Sequence, residues 1–495
     1  MYLLGYDIGS SSIKSALVHA ETGEKVAVSQ YPDKEMDMLA AQPGWAEQHP
    51  ETWWEAVRKA TAKLLKDSKA KSDGIKAIGI SYQMHGLVLV NRNQQVLRPS
   101  IIWCDSRAVE IGKHAFEALG TKQCLGHLLN SPSNFTASKL RWVKENEPDL
   151  YKNIYKMMLP GDFIAMKMTD EITTTVSGLS EGMLWDFQEE KVANFLLDHY
   201  EIDPLLIPKV VETFSNQGTL TEKAATLLGL PAGIRVGYRA GDQPNNALSL
   251  NVFEPGEVAA TGGTSGVVYG VVDRPLFDKK TRVNSFAHVT HTSANPRIGV
   301  LLCINGAGIQ YNWMRQMLAG DGVTYSEIEK QIGSIPVGSE GLMVIPFGNG
   351  AERVLENKNP GSGILNLEFN RHGKPHLYRA ALEGIAFSFV YGMEIMKEMG
   401  LSVDKIRVGN DNLFQSNAFT QTISNTLGCE IEMIDTTGAV GAAKAAGVGA
   451  GVYSSLNDAF RENSIIKTYM AGGDQSAYKA TYQGWKSALD RMINK

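Results

Sequence analysis

Two short stretches of small residues interrupt strand-like runs: Gly9-Ser10-Ser11-Ser12, and Thr261-Gly262-Gly263-Thr264-Ser265-Gly266. Glycine lets a backbone approach a phosphate closely, and successive N–H groups in a tight turn form an anion-binding concavity to which Ser and Thr hydroxyls add donors. Either turn alone is more often a plain hairpin end. Their recurrence, one at the start of each half of the chain, points instead to one polyphosphate gripped by both. Two carboxylates stand beside such signals. Asp7 ends the strand-like run before the serine turn, and Asp242 follows an apolar run around Val236, in Ala240-Gly241-Asp242-Gln243-Pro244-Asn245-Asn246. In such places one carboxylate could ligate magnesium and another act as a general base, although Asp also commonly caps turns.

Other phosphate signatures are missing. The pairs Gly112-Lys113 and Gly373-Lys374 are followed by His114 and Pro375, so there is no G-x-x-x-x-G-K-[ST] loop, and G-x-G-x-x-G does not occur. His372 and His376 have a spacing of four, but Gly373 and Pro375 between them predict a loop rather than a helical metal site.

The elements that must hold these residues read as α/β. Tyr2 to Ile8, Ile13 to His19 and Lys25 to Gln30 predict a three-stranded meander. Pro50 opens a helix to about Lys66, with Trp53, Trp54, Val57, Ala60, Thr61, Leu64 and Leu65 on a stripe of period near 3.6. Lys76 to Ser81 predicts a buried strand. Near Glu257 the pattern begins again with two strand-like runs around Thr261 to Gly266. Strands at Ile298 to Ile304 and Ile406 to Val408 follow, with helices from about Tyr378 to Met399, up to Gly428, and from Ala439. Two similar lobes, 1–245 and 246–495, are the expected domains.

Composition supports a folded chain of this size. Of 495 residues, 43% are hydrophobic and 20% charged, which excludes a largely disordered or fibrous chain, and the net charge of −5 argues against nucleic-acid and membrane-surface partners. The four cysteines, Cys104, Cys124, Cys303 and Cys429, are widely spaced and predict reduced thiols. With no basic leader before an apolar stretch and no apolar run of about 18 residues, the expected location is the cytoplasm.

Seven segments together resemble one family: DIGSSSIKSALV at 7–18, GWAEQHPETWW at 44–54, ISYQMHG at 80–86, IIWCDSR at 101–107, SEGMLWD at 180–186, AGDQPNNAL at 240–248 and TGGTSG at 261–266. In this order they are similar to the FGGY carbohydrate kinases, over essentially the whole chain. The resemblance implies two ribonuclease-H-like lobes of the actin/hexokinase type, with a cleft between them for ATP and sugar. It implies Asp242 as catalytic base and Asp7 as the carboxylate that holds Mg²⁺. Ser10, Ser11, Ser12 and Lys14 would form one phosphate hairpin, and Gly262, Gly263, Thr264 and Ser265 the other. Met84, His85, Trp103, Asp105 and Asn246 match positions that line the sugar pocket.

Where the family has a Gly-Gly-Gly-Ala run on its adenosine side, this chain reads Val408-Gly409-Asn410-Asp411-Asn412-Leu413, so Gly409, Asn410 and Asn412 are the expected nucleotide contacts. Gly350-Ala351-Glu352-Arg353 resembles the family's Gly-Glu-Arg segment, followed here by Val354-Leu355 in place of Thr-Pro. Gln83-Met84-His85-Gly86 is most characteristic of members acting on xylulose. The implied activity is therefore ATP-dependent conversion of D-xylulose to D-xylulose 5-phosphate. Ribulose, gluconate or glycerol kinases, and a non-catalytic sugar- or nucleotide-binding homologue, are the alternatives. The implied partners are sugar and ATP, and a homodimer is one expected assembly.

Overall fold

The apolar runs Tyr2–Ile8, Ile13–His19 and Lys25–Tyr31 form the antiparallel meander in a computed structural model that describes residues 1–319 and 322–494. Ile75–Tyr82 and Arg235–Gly241 add to its first strand in parallel, giving the order Arg235–Gly241, Ile75–Tyr82, Tyr2–Ile8, Ile13–His19, Lys25–Tyr31. Parallel strands end together, so Ile8, Tyr82 and Gly241 share one edge, the edge at which open α/β sheets bind ligands.

The two faces of this sheet are covered for different reasons. The Pro50–Ser68 helix, with proline in its first turn and a His49 side-chain cap, buries Trp53, Val57, Ala60 and Leu64 against Tyr6, Ile78 and Ile80. Side chains alternate along a strand, so Gly5 and Gly79 face the other way. There the Gly438–Gly449 helix lies so close that a Cβ on Gly5 would stand 1.9 Å from the Ala439 carbonyl oxygen, and one on Gly79 would stand 1.9 Å from that of Ala442. At these two positions only glycine fits beneath the helix.

The second sheet repeats the plan. Val258–Gly262 and Gly266–Val272 form an antiparallel hairpin, and Lys405–Gly409 and Glu430–Ile434 extend it in parallel beyond Val258–Gly262. Ile298–Ile304 borders Gly266–Val272, as Lys25–Tyr31 borders Ile13–His19. Both halves thus carry a hairpin continued by two parallel strands, the pattern that the repeated small-residue turns predict.

The compact units are not two continuous halves, however. One comprises Met1–Asn251, Phe286–Ile298 and Thr436–Asn463; the other comprises Val252–Ser285, Gly299–Asp435 and Ser464–Lys495. A single cut at 245/246 misses this because the Ala/Gly helix finds its glycine partners in the first sheet. A second difference concerns His376, which lies inside the Lys374–Glu398 helix rather than in a loop. Pro375 sits in the first turn, where its missing N–H costs nothing. His376 Nδ1 accepts the Gly373 N–H at 3.2 Å and so caps the helix start, while His372 Nδ1 accepts that of Glu368 at 3.0 Å in the turn before it.

Candidate active site

Asp7 and Asp242 meet at the carboxyl edge of the first sheet. Asp7 pairs across the ladder with Ser81, Ser81 pairs with Ala240, and Asp242 follows two residues later as the first residue of the Asp242–Ser249 helix. At about 4.8 Å per strand, Asp7 stands roughly 10 Å across the sheet from Ala240, two residues before Asp242. Burial, reinforced by the charge of Asp7, pushes the Asp242 carboxyl up to about 7, and hydrogen bonds from Gln243 oppose this. A carboxyl so poised can accept a proton near neutral pH. Burial also raises Asp7, against the pull of Lys14 and a 2.9 Å hydrogen bond from the Ser81 hydroxyl.

Among the described residues there is no group of three or more metal-ligating side chains. The donor set at Asp7 is one carboxylate and one hydroxyl. Its Oδ2 would stand 3.0 Å from a Cβ on Gly438, so only glycine leaves that oxygen uncrowded. Magnesium is commonly held by one or two carboxylates, with water and substrate phosphates completing its octahedron, and the Asp7 site fits that pattern.

The expected sugar residues surround this edge. Met84 and His85 continue from the Ile75–Tyr82 strand, and a Cβ on Gly241 would meet Met84 Cγ at 2.6 Å, so the glycine before Asp242 lets Met84 close against it. The His85 ring packs against Phe135 at 4.7 Å and Phe286 at 5.6 Å. Asn246 lies one helical turn from Asp242, on the same face. Trp103 is 53% exposed, with its indole N–H 3.3 Å from Ser10 Oγ, which ties the sugar-side loop to the serine turn.

Asp105 behaves differently from expectation. It is fully buried, with both oxygens engaged by the Arg107 guanidinium and Oδ2 also accepting the Ala46 N–H at 2.6 Å. Its carboxylate is consumed in fixing the loop. Arg107 in turn stacks on Trp45 at 3.8 Å, and its guanidinium reaches Glu47 at 2.6 Å, so an aromatic and ionic cluster anchors the segment that follows Trp103.

In the serine turn, the Gly9 N–H donates to the Ser12 carbonyl at 3.1 Å and the Gln48 amide to the Ser10 carbonyl at 2.7 Å. Ser11 is exposed, and Lys14, also exposed, pairs with Asp7 across the hairpin. The second turn is built similarly. The Gly263 and Thr264 carbonyls accept the N–H groups of Gly308 and Ile309, at 3.1 Å each, from the start of the Gly308–Ala319 helix. Gly262, Gly263, Thr264 and Asn412 line a cavity of about 820 Å³ in the second unit, completed by Tyr311, Asn312, Tyr325, Ser326 and neighbouring residues. That volume suits a small-molecule ligand. Ser265, Gly409 and Asn410 are outside its lining.

Glu352 and Arg353, expected as an acidic-basic pair, serve separate tasks. Glu352, pushed up to about 7 by burial, accepts the N–H groups of Asn305 and Gly306, while Arg353 donates to Asn284 at 2.7 Å.

Several participants had no sequence signal of their own. Lys139 sits in an ordinary amphipathic helix, Thr136–Asn146, where a lysine reads as a solvated residue; it is fully buried, and burial pulls its ammonium down to about 7. Glu181 lies within the SEGMLWD segment, but only the fold shows that it is 1% exposed and that burial raises its carboxyl well above the ordinary range. Phe135 and Phe286 are distant in sequence, yet their rings pack on each other at 6.0 Å beside His85.

Residues 2–249 match the N-terminal domain, and residues 258–450 the C-terminal domain, of the FGGY family of carbohydrate kinases. The chain belongs to that family and is a sugar kinase. It is similar to the xylulose kinase of Bacillus subtilis strain 168, at 29% identity over 498 residues, covering 98% of this chain and 96% of that one. Among solved structures it resembles xylulose kinase from Rhodospirillum rubrum (TM-score 0.89, 23% identity, 100% of each chain). Glycerol kinase from Plasmodium falciparum with ADP superposes equally well (TM-score 0.89, 20% identity, 99% and 98% of the chains). The fold is shared by kinases of different sugars and polyols, so substrate must be argued from the site.

Proposed function

We propose that this chain transfers the γ-phosphoryl group of ATP to the terminal primary hydroxyl of D-xylulose, giving D-xylulose 5-phosphate. The observation that carries the reading is Asp242, a carboxyl raised to about 7 at a sheet edge beside Met84, with His85 from the same loop. The B. subtilis relative, matched along nearly its whole length, is named for xylulose, which supports the choice of sugar.

Phosphoryl transfer asks the protein mainly for alignment and charge stabilisation. Asp242 accepts the proton of the attacking hydroxyl as its oxygen reaches phosphorus. Met84, His85 and Trp103 orient the sugar, Asn246 adds a polar contact from the base's own helix face, and the buried Asp105–Arg107 pair keeps the Trp103 loop in place. Gly262, Gly263, Thr264 and Asn412 would receive the nucleotide. Mg²⁺, which Asp7 would hold, supplies neutralisation of triphosphate charge. Four free cysteines fit a reducing compartment, and we place the reaction in the cytoplasm.

The glycerol kinase likeness keeps another polyol or ketose as the second reading. An ADP-release assay with ATP and a panel of ketopentoses, ketohexoses, gluconate and glycerol separates them. Xylulose is expected to give the highest kcat/KM. If glycerol or gluconate exceeds every ketopentose, the sugar assignment fails; if no panel member is turned over, the catalytic reading fails with it.

A further inference from the structure

His85 adopts a backbone φ of 62°, the left-handed region that side-chain-bearing residues rarely occupy. Such a conformation persists only where the surroundings over-determine it, and it clusters at functional sites. Two buried polar side chains, a carboxyl and an amine, hold this one. The Glu181 carboxyl accepts the His85 N–H at 2.9 Å, and the Lys139 amino group donates to the His85 carbonyl at 2.8 Å. Lys139 also donates to the Ile102 carbonyl at 2.9 Å, one residue before Trp103, so a single amino group ties together the two loops assigned to sugar binding.

The ring is fixed as well. His85 Nδ1 lies 3.0 Å from the Glu181 backbone carbonyl oxygen, which can only accept, and 3.3 Å from Glu181 Oε2, so Nδ1 carries a hydrogen and donates it to Glu181. The ring, held at Nδ1, packs between Phe135 and Phe286.

We propose that Glu181 and Lys139 are positioning residues for sugar recognition that act through His85, clamping its main chain at both ends while Glu181 fixes its ring at Nδ1. This rests on the assignment of His85 to the sugar pocket. A clamp acting through one residue has a signature that general destabilisation lacks: its effect disappears when that residue is removed.

The test combines Glu181→Ala, Glu181→Gln and Lys139→Met with His85→Ala, reading kcat, the sugar and ATP KM values and thermal midpoints. Loss of one buried hydrogen bond predicts that Glu181→Ala and Lys139→Met raise sugar KM by about tenfold. ATP KM should stay within about twofold. Glu181→Gln, whose amide oxygen still accepts the His85 N–H, should recover most of the loss. In the His85→Ala background Glu181→Ala should add no more than about twofold, whereas Lys139→Met keeps the part of its effect that runs through Ile102 and Trp103.

Equal losses with and without His85, or sugar and ATP KM rising in step, overturn the proposal. A second readout is independent of turnover: the imidazole ¹⁵N shifts of His85 in the wild-type protein should report a protonated Nδ1. An unprotonated Nδ1 overturns the proposal even in an active enzyme. If no sugar is phosphorylated, the functional reading falls while this readout still decides the clamp.

Discussion

Asp7 raises the proton affinity of Asp242 from two strands away: its charge adds to burial in bringing the Asp242 carboxyl to about 7. The ladder that pairs Asp7 with Ser81 and Ser81 with Ala240 fixes this relationship, so it is built into the sheet rather than into a flexible loop. The carboxyls have distinct roles because their surroundings differ. Asp7 has Lys14 and the Ser81 hydroxyl to support its charge, whereas Asp242 starts a helix with like charge nearby.

The first prediction concerns pH. Asp242 works as a base only when ionised, so kcat/KM should rise with pH through a midpoint near about 7. Asp7→Asn removes the like charge, and the Asp242 titration, followed by its carboxyl ¹³C shift, should move to lower pH. A midpoint unchanged by this substitution would mean that the two carboxyls do not interact.

Asp242→Asn should lower kcat by a factor on the order of 10²–10⁴, the usual scale for a missing general base, while leaving sugar affinity nearly unchanged. Sugar binding to the variant by calorimetry separates the two effects. Comparable loss of binding and turnover would make Asp242 a substrate ligand instead.

The same substitution should stabilise the fold at alkaline pH. A carboxyl raised in the folded state keeps its proton between its unfolded value, about 4, and about 7, so its ionisation costs stability progressively as pH rises through that window. The thermal midpoint of Asp242→Asn should therefore exceed that of wild type most clearly above pH 7, and the gain should vanish near pH 4. A gain independent of pH would show that charge is not its origin.

Gly79→Ala should destabilise the first unit while leaving the second sheet's residues untouched. Its Cβ would fall 1.9 Å from the Ala442 carbonyl oxygen, and backbone cannot yield as a side-chain tip can. Overpacking of this kind costs about 1–3 kcal/mol or more, measurable by urea denaturation. A loss below about 0.5 kcal/mol, the range of ordinary surface changes, would contradict the packing of the Gly438–Gly449 helix on this sheet.

In the second unit, Asn412→Ala should raise ATP KM several-fold at constant sugar KM, because Asn412 lines the large cavity whereas the residues around His85 belong to the first unit. An effect on sugar KM alone would remove the nucleotide assignment of that cavity.

The strands that carry Asp7 and the two small-residue turns were legible because strands write themselves locally, as apolar runs cut by Gly and Ser. The Pro50–Ser68 helix was legible for the same reason, since its stripe of Trp53, Val57, Ala60 and Leu64 needs only a periodic sequence. The family segments also singled out Met84, His85 and Trp103, and the fold sets Met84 against Gly241, the residue before Asp242.

What the sequence could not decide is where charges end when side chains from distant segments compete for them. Asp105 reads as a hydroxyl ligand until Arg107 and the Ala46 N–H are seen to consume it, and Lys139 reads as solvated until the fold buries it against His85 and Ile102. Local pattern fixes the elements because hydrogen bonding and burial periodicity act within a few residues. Electrostatics in a buried site depend on partners brought together over the whole chain, and only tertiary structure chooses those partners.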